Sequence, residues 1–188
     1  MKKMMLLVGA IVMSLTSCQE MQETIEIDEG YGKLIVNITD APFPMKVVED
    51  VEVTFSKGEL FVDEDETKSS ILLFEESVTV KLLNLQNGVT DQLAEVELPS
   101  GYYSHLRLYV ESASITIKDH GTYDMKVPSG KTSGLKVHVN PPVYVQNGLS
   151  AELLLDFDVS RSFAMLGNMD TPAGIKGFNF KPVIRAVN

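Results

Sequence analysis

From Gly30 to the C-terminus, apolar and polar residues alternate with a period of two. Val51, Val53 and Phe55 share one face of a run whose other face carries Glu52, Thr54 and Ser56. The same alternation recurs at Leu34/Val36/Ile38, Val78/Val80/Leu82, Leu106/Leu108/Val110, Ile115/Ile117, Leu135/Val137/Val139 and Leu153/Leu155/Phe157. A chain whose side chains alternate between core and water is a half-buried strand. Turn-forming clusters separate the runs: Asp-Ala-Pro-Phe-Pro at 40–44, Ser-Lys-Gly at 56–58, Gln-Asn-Gly at 86–88 and 146–148, Pro-Ser-Gly at 99–101 and 128–130, and Lys-Asp-His-Gly at 118–121. Helical periodicity is confined to Thr90–Glu97 and Ser160–Asn168, each long enough for a turn or two. The pattern predicts an all-β fold with little helix. We read residues 30–188 as one antiparallel β-sandwich of seven to nine strands.

The first 29 residues follow a different rule. Lys2 and Lys3 precede an apolar run from Met4 to about Leu15, and Thr16-Ser17 makes a small, polar exit. That is the layout of a secretory signal, and the run is well short of the roughly 20 residues a membrane-spanning helix needs. Leu15-Thr16-Ser17-Cys18 resembles the bacterial lipoprotein box, in which the thiol takes a diacylglycerol and the freed amino group a further acyl chain such as palmitate. The resemblance implies a signal peptide at 1–17, cleaved before a lipidated Cys18 that anchors the chain to a membrane. Two or more acyl chains hold stably where one does not. Residues 18–29 are rich in carboxylates and lack basic groups, which reads as a solvated tether. Fully extended, it reaches some 35–40 Å. By analogy with other lipoproteins, Gln19 in place of Asp gives no reason for inner-membrane retention, so the expected location is the outer membrane. Whether the domain faces the periplasm or the exterior stays open.

Charge and cysteine count narrow the classes further. The chain has 16 basic and 26 acidic residues, and removing Lys2 and Lys3 with the signal leaves 14 against 26, or −12. Such a domain is repelled by nucleic acid and by anionic lipid, so no nucleic-acid partner is expected. Cys18 is the only cysteine, so the domain has no disulfide and its stability must come from its core.

Six segments occur in order: Thr-Asp-Ala-Pro (39–42), Leu-Leu-Asn-Leu-Gln-Asn-Gly (82–88), Leu-Pro-Ser-Gly-Tyr-Tyr-Ser-His-Leu-Arg-Leu-Tyr-Val (98–110), Val-Pro-Ser-Gly-Lys-Thr-Ser-Gly-Leu-Lys-Val (127–137), Leu-Leu-Leu-Asp-Phe-Asp-Val-Ser-Arg-Ser-Phe (153–163) and Phe-Lys-Pro-Val-Ile-Arg-Ala-Val (180–187). Together they resemble domain of unknown function 4382, found in bacterial envelope lipoproteins. The Leu-Pro-Ser-Gly-Tyr-Tyr stretch is also similar to a pre-strand turn of transthyretin-like and other Ig-like surface modules. The resemblance implies an extracytoplasmic β domain and brings no agreed activity with it.

Candidate chemistry is sparse. The histidines are His105, His120 and His138, with no Gly-x-Ser-x-Gly and no His-Glu-x-x-His among them. Pro-Ser-Gly-Lys-Thr-Ser-Gly at 128–134 lacks the first glycine of a phosphate loop and does not open a helix. Asp63-Glu64-Asp65-Glu66 reads as a solvated loop, since a hard cation needs six to eight oxygens around a sharp turn. Asp156 and Asp158 project to one side, with two readings. They are cross-strand charges met by Arg107, Arg161 or Lys181, or they hold a Ca²⁺ ion. Counting back from Leu106, Leu108 and Val110 places Tyr103, His105, Arg107 and Tyr109 outward, as a candidate face for a sugar or protein partner.

The expected function is therefore a lipid-anchored, non-enzymatic envelope β-sandwich that binds or positions a glycan or a protein partner, with no cofactor. The alternative is a structural accessory or adhesin-like subunit of a surface assembly. The anchor has a direct test. Metabolic labelling with a clickable fatty acid is expected to tag the wild-type chain and to fail on Cys18→Ser. Equal labelling of the two would remove the lipoprotein assignment.

Overall fold

A computed structural model of the chain describes residues 30–41, 46–62, 70–127, 132–168, 170 and 174–187. The expected signal, Cys18 and its tether, the Asp63–Glu66 run and the 128–131 stretch lie outside the described residues. The strands are β1 (Tyr31–Asp40), β2 (Val48–Phe61), β3 (Ser70–Phe74), β4 (Val78–Lys81), β5 (Asp91–Pro99), β6 (Gly101–Ile117), β7 (Gly121–Lys126), β8 (Leu135–Val145), β9 (Ser150–Phe157), β10 (Phe163–Gly167), β11 (Ile175–Phe180) and β12 (Ile184–Val187). A 3₁₀ turn at Leu82–Leu85 and one α-helical turn, α1 (Val159–Ser162), interrupt them.

The strands form the expected sandwich, but the described residues hold twelve of them where seven to nine were expected, because short strands such as β3, β10 and β12 are too brief to show alternation. One sheet has the order β12-β9-β1-β5, and the other has eight strands around the long β2 and β6. The alternating apolar residues meet between the sheets, with Leu34, Ile38, Val53, Phe55, Leu106, Leu108, Leu153, Leu155 and Phe157 fully buried. Phe157 of one sheet lies nearly parallel to Phe180 of the other, 6.2 Å between ring centres.

Three features differ from the alternation reading. First, Leu106–Val110 and Ile115/Ile117 belong to one 17-residue strand, β6. Exposed Glu111 and Ser112 mark where the inward parity switches, opposite a register shift in β2. Second, Thr90–Glu97 enters β5, with Leu93 and Ala94 both buried where β1 shifts register opposite them. Third, β1 pairs with β9 in parallel, and β11 with β7, so both sheets are mixed. A period of two says which side chains face the core; it carries nothing about the direction of the neighbouring strand. Ser160–Asn168 holds only the single turn α1 before becoming β10.

Gly32 marks a close crossing. A Cβ there would sit 2.2 Å from the Gln146 carbonyl oxygen and 2.9 Å from that of Leu149, both backbone atoms of the β8–β9 turn. Gly32→Ala is expected to cost about 1–3 kcal/mol, the usual range for overpacking, read as a lower denaturation midpoint of residues 30–188. An unchanged midpoint would show that the turn yields freely.

Candidate functional site

The long strand β6 carries the expected outward row, and the structure divides it. Between Tyr103 and His105, one residue of β6 faces four of β8, because Tyr103 aligns with Val143 and His105 with His138. The excess residues of β8 include Asn140-Pro141-Pro142, with a cis bond between Asn140 and Pro141. Prolines donate no N–H and cannot continue a ladder, so the strand bulges here. The bulge reverses parity. Tyr103 turns into the core, 1% exposed, and its hydroxyl donates to the Pro99 carbonyl at 2.7 Å, closing the Pro-Ser-Gly turn.

His105 stays on the outer face but is sealed, with no exposure. Phe61 stacks on it at 4.5 Å and 5°, His138 lies 6.2 Å away, and Ser104 Oγ is 3.3 Å from Nδ1. The Arg107 guanidinium lies 5.9 Å over the Phe61 ring. Tyr109 donates its hydroxyl to Glu59 at 2.8 Å, and Lys57 both pairs with Glu59 at 2.8 Å and lies over the Tyr109 ring. Burial pushes the Glu59 carboxyl up, but the bonds from Lys57 and Tyr109 outweigh it and hold the carboxyl below its usual range. Tyr103 and His105 therefore leave the proposed face, and Arg107 and Tyr109 are engaged within the sheet.

A different aromatic pair is exposed. Tyr102 and Tyr144 face each other across β6 and β8, ring centres 4.6 Å apart, and Tyr102 is 44% exposed. Two residues farther along each strand lie Ser104 and Pro142, which with His138, Val139 and Asn140 line an open depression of about 370 Å³. Alternation alone could not find this site, because adjacent Tyr102 and Tyr103 leave the parity open. The usable signal was Pro141-Pro142, which forbids a regular ladder opposite them.

The two aspartates sit at the far end of the four-stranded sheet. Asp156 aligns with Thr39 on β1 and with Arg185 on β12, so its cross-strand cation is neither Arg107 nor Lys181. Asp158 caps α1: its carboxylate accepts from Arg161 N–H at 3.1 Å and Ser160 Oγ at 2.6 Å, with the Arg161 guanidinium 3.9 Å away. Among the described residues, no group of three or more His, Cys, Asp or Glu side chains is placed to hold a metal ion. Asp40, 3% exposed, was not singled out from the sequence. Its carboxylate accepts from Val159 N–H at 3.1 Å and from Gln86 Nε2 at 3.4 Å. Beside it, Thr39 Oγ1 reaches the Leu85 and Val89 carbonyls, both at 2.9 Å. The Lys181 N–H donates to Ser162 O at 2.7 Å and the Val183 N–H to Ser162 Oγ at 2.9 Å.

This corner accounts for four of the six recurrent segments, since Thr39-Asp40, Leu82–Gly88, Leu153–Phe163 and Phe180–Val187 bond to one another here. The chain belongs to the family described as Domain of unknown function (DUF4382), which matches residues 31–182. No curated protein and no solved structure matches it. Among the described residues, no helix is long and apolar enough to cross a membrane.

Burial raises the Asp40 carboxyl from 3.8 to about 6, against the hydrogen bonds from Val159 and Gln86 and with a further push from Asp156 and Asp158. The folded chain thus holds this proton to a higher pH than the unfolded chain. The stability it contributes is complete below about pH 4 and is lost as pH rises through about 6. Asp40→Asn keeps an acceptor for Val159 and removes the titration. It is expected to flatten unfolding free energy between pH 4 and 7 and to gain about 2 kcal/mol at pH 7 relative to wild type. Parallel pH profiles for the two proteins would contradict this.

Proposed function

We propose, starting from membership in a family without an assigned activity, that this is a lipid-anchored, non-enzymatic domain of the outer membrane that captures a glycan. The observation that carries the reading is the depression beside Tyr102 and Tyr144. Sugar rings present C–H faces that pack on aromatic rings, and their hydroxyls need donors and acceptors at the edge. Asn140, His138 and Ser104 line such an edge, in an open cleft of about 370 Å³. A hydrolytic reading is less favoured, because His105, whose Nδ1 lies beside the Ser104 hydroxyl, is sealed under Phe61 and cannot reach a substrate.

A second observation favours the protein-docking alternative. The strand β10, Phe163-Ala164-Met165-Leu166-Gly167, ends the eight-stranded sheet without a charge or a proline, and Leu166 is 37% exposed. Natural edges are normally blunted by such residues, as Asp91, Glu95 and Glu97 blunt β5. An uncharged edge suits an added strand from a partner subunit.

A glycan array probed with residues 30–188 separates the two. Tyr102→Ala and Tyr144→Ala are each expected to weaken capture by about 1 kcal/mol or more, as central aromatic contacts do, with little change in melting temperature. Undiminished capture by the double variant, or no captured glycan, would leave the β10 edge as the working site.

A further inference from the structure

We propose that the end of the sandwich where the chain enters, presenting Tyr31 and Leu149, rests in the interfacial layer of a zwitterionic bilayer and so sets the orientation of the domain. This rests on the lipid-anchor reading of Cys18. Tyr31 is 65% exposed and Leu149 56%, the former the most exposed of the large apolar residues described. They line one shallow depression with Gly32, Lys33, Glu97, Gly148 and Ser150. Backbone bonds hold them rigidly: Gly148 N–H donates to Tyr31 O, and Lys33 N–H to Leu149 O, both at 2.9 Å. Leu149 stands beside the tip of the Gln146–Leu149 turn, where small or polar residues are the rule.

Chain length selects the occupant. Eleven residues lie between Cys18 and Gly30, and a coil of that length averages only about 20 Å end to end. From Tyr31, β1 runs away from that point for ten residues, about 30 Å, to the corner at Asp40. The entry end is thus the one the tether keeps nearest to lipid. Charge is distributed to match. The entry end carries Lys33, paired with Glu95, and exposed Glu97, whereas Asp40, Asp91, Asp156, Asp158, Arg161 and Arg185 crowd the opposite end. A net charge of −12 disfavours anionic headgroups, which leaves a zwitterionic surface. Two side chains would bind lipid poorly alone. Tethering raises the local concentration to the millimolar range, so a preference of about tenfold suffices to orient the domain.

Because Cys18 is acylated, an introduced cysteine is a unique labelling site. The test uses full-length acylated protein on phosphatidylcholine vesicles carrying spin-labelled lipid, with a fluorophore at Gln146→Cys or at Thr90→Cys. Quenching is expected at 146 and absent at 90, and adding Tyr31→Ser with Leu149→Ser should cut quenching at 146 several-fold without lowering the melting temperature. Equal quenching at the two positions, or a double variant that quenches like its parent, overturns the docking while co-flotation with vesicles upholds the anchor. Failure of the protein to float overturns the anchor and this proposal together.

Discussion

A buried carboxylate holds the point where the chain leaves one sheet for the other. After Phe157 the backbone must cross from the four-stranded to the eight-stranded sheet, and every N–H and C=O freed by the crossing needs a partner away from water. Val159 N–H finds Asp40, Asp158 N–H finds the Val183 carbonyl, and Arg161 N–H finds the Asp158 side chain. Ser162, 1% exposed, then takes bonds from Lys181 and Val183 and gives its own to the Asp158 carbonyl. The corner thereby aligns β9, β12 and β1 and brings Phe157 over Phe180. A neutral acceptor would do this at less electrostatic cost. The acid keeps two lone-pair edges, one for Val159 and one for Gln86, and so ties the Leu82–Gly88 turn to the same point.

Much of this architecture was legible in the chain. Period-two runs marked β1, β2, β4, β6, β8 and β9, since a strand with one wet face has no other way to be written. Strands hidden from that test are short or irregular: β10 and β12 span one or two turns of alternation, and β5 places Leu93 and Ala94 inside together at a bulge. Such strands exist because a neighbouring strand or a corner imposes them, which is tertiary information. Parallel pairing of β1 with β9 was equally invisible, since alternation is the same read in either direction.

The misplaced binding row failed for two physical reasons. Parity counted back from Leu106 is valid only while the ladder is regular, and a single bulge moves every residue beyond it to the other face. Tyr103 was on the wrong side of that bulge. His105 was on the right side and still buried, because Phe61 on β2 covers it; burial by a cross-strand neighbour depends on register, which no single strand encodes. Asp158 and its Arg161 partner were both legible; what alternation missed is that the pair sits within one helical turn instead of across strands, for an aspartate ahead of Ser-Arg-Ser at a strand end is also a helix cap.

Most of the six segments that carry the family resemblance are spent on the fold. Four of them are consumed in the corner, where their polar groups bond to one another and offer little to a ligand. Leu98–Val110 supplies one wall of the depression through Ser104, with Tyr102 beside it. The opposite wall, His138, Val139, Asn140 and Pro142, belongs to none of the six, and neither does Tyr144. The corner and the depression thus draw on different stretches of the chain: Asp40, Asp158 and Ser162 bond to Gln86, Val159, Arg161, Lys181 and Val183, whereas the depression is lined mainly from the bulged half of β8.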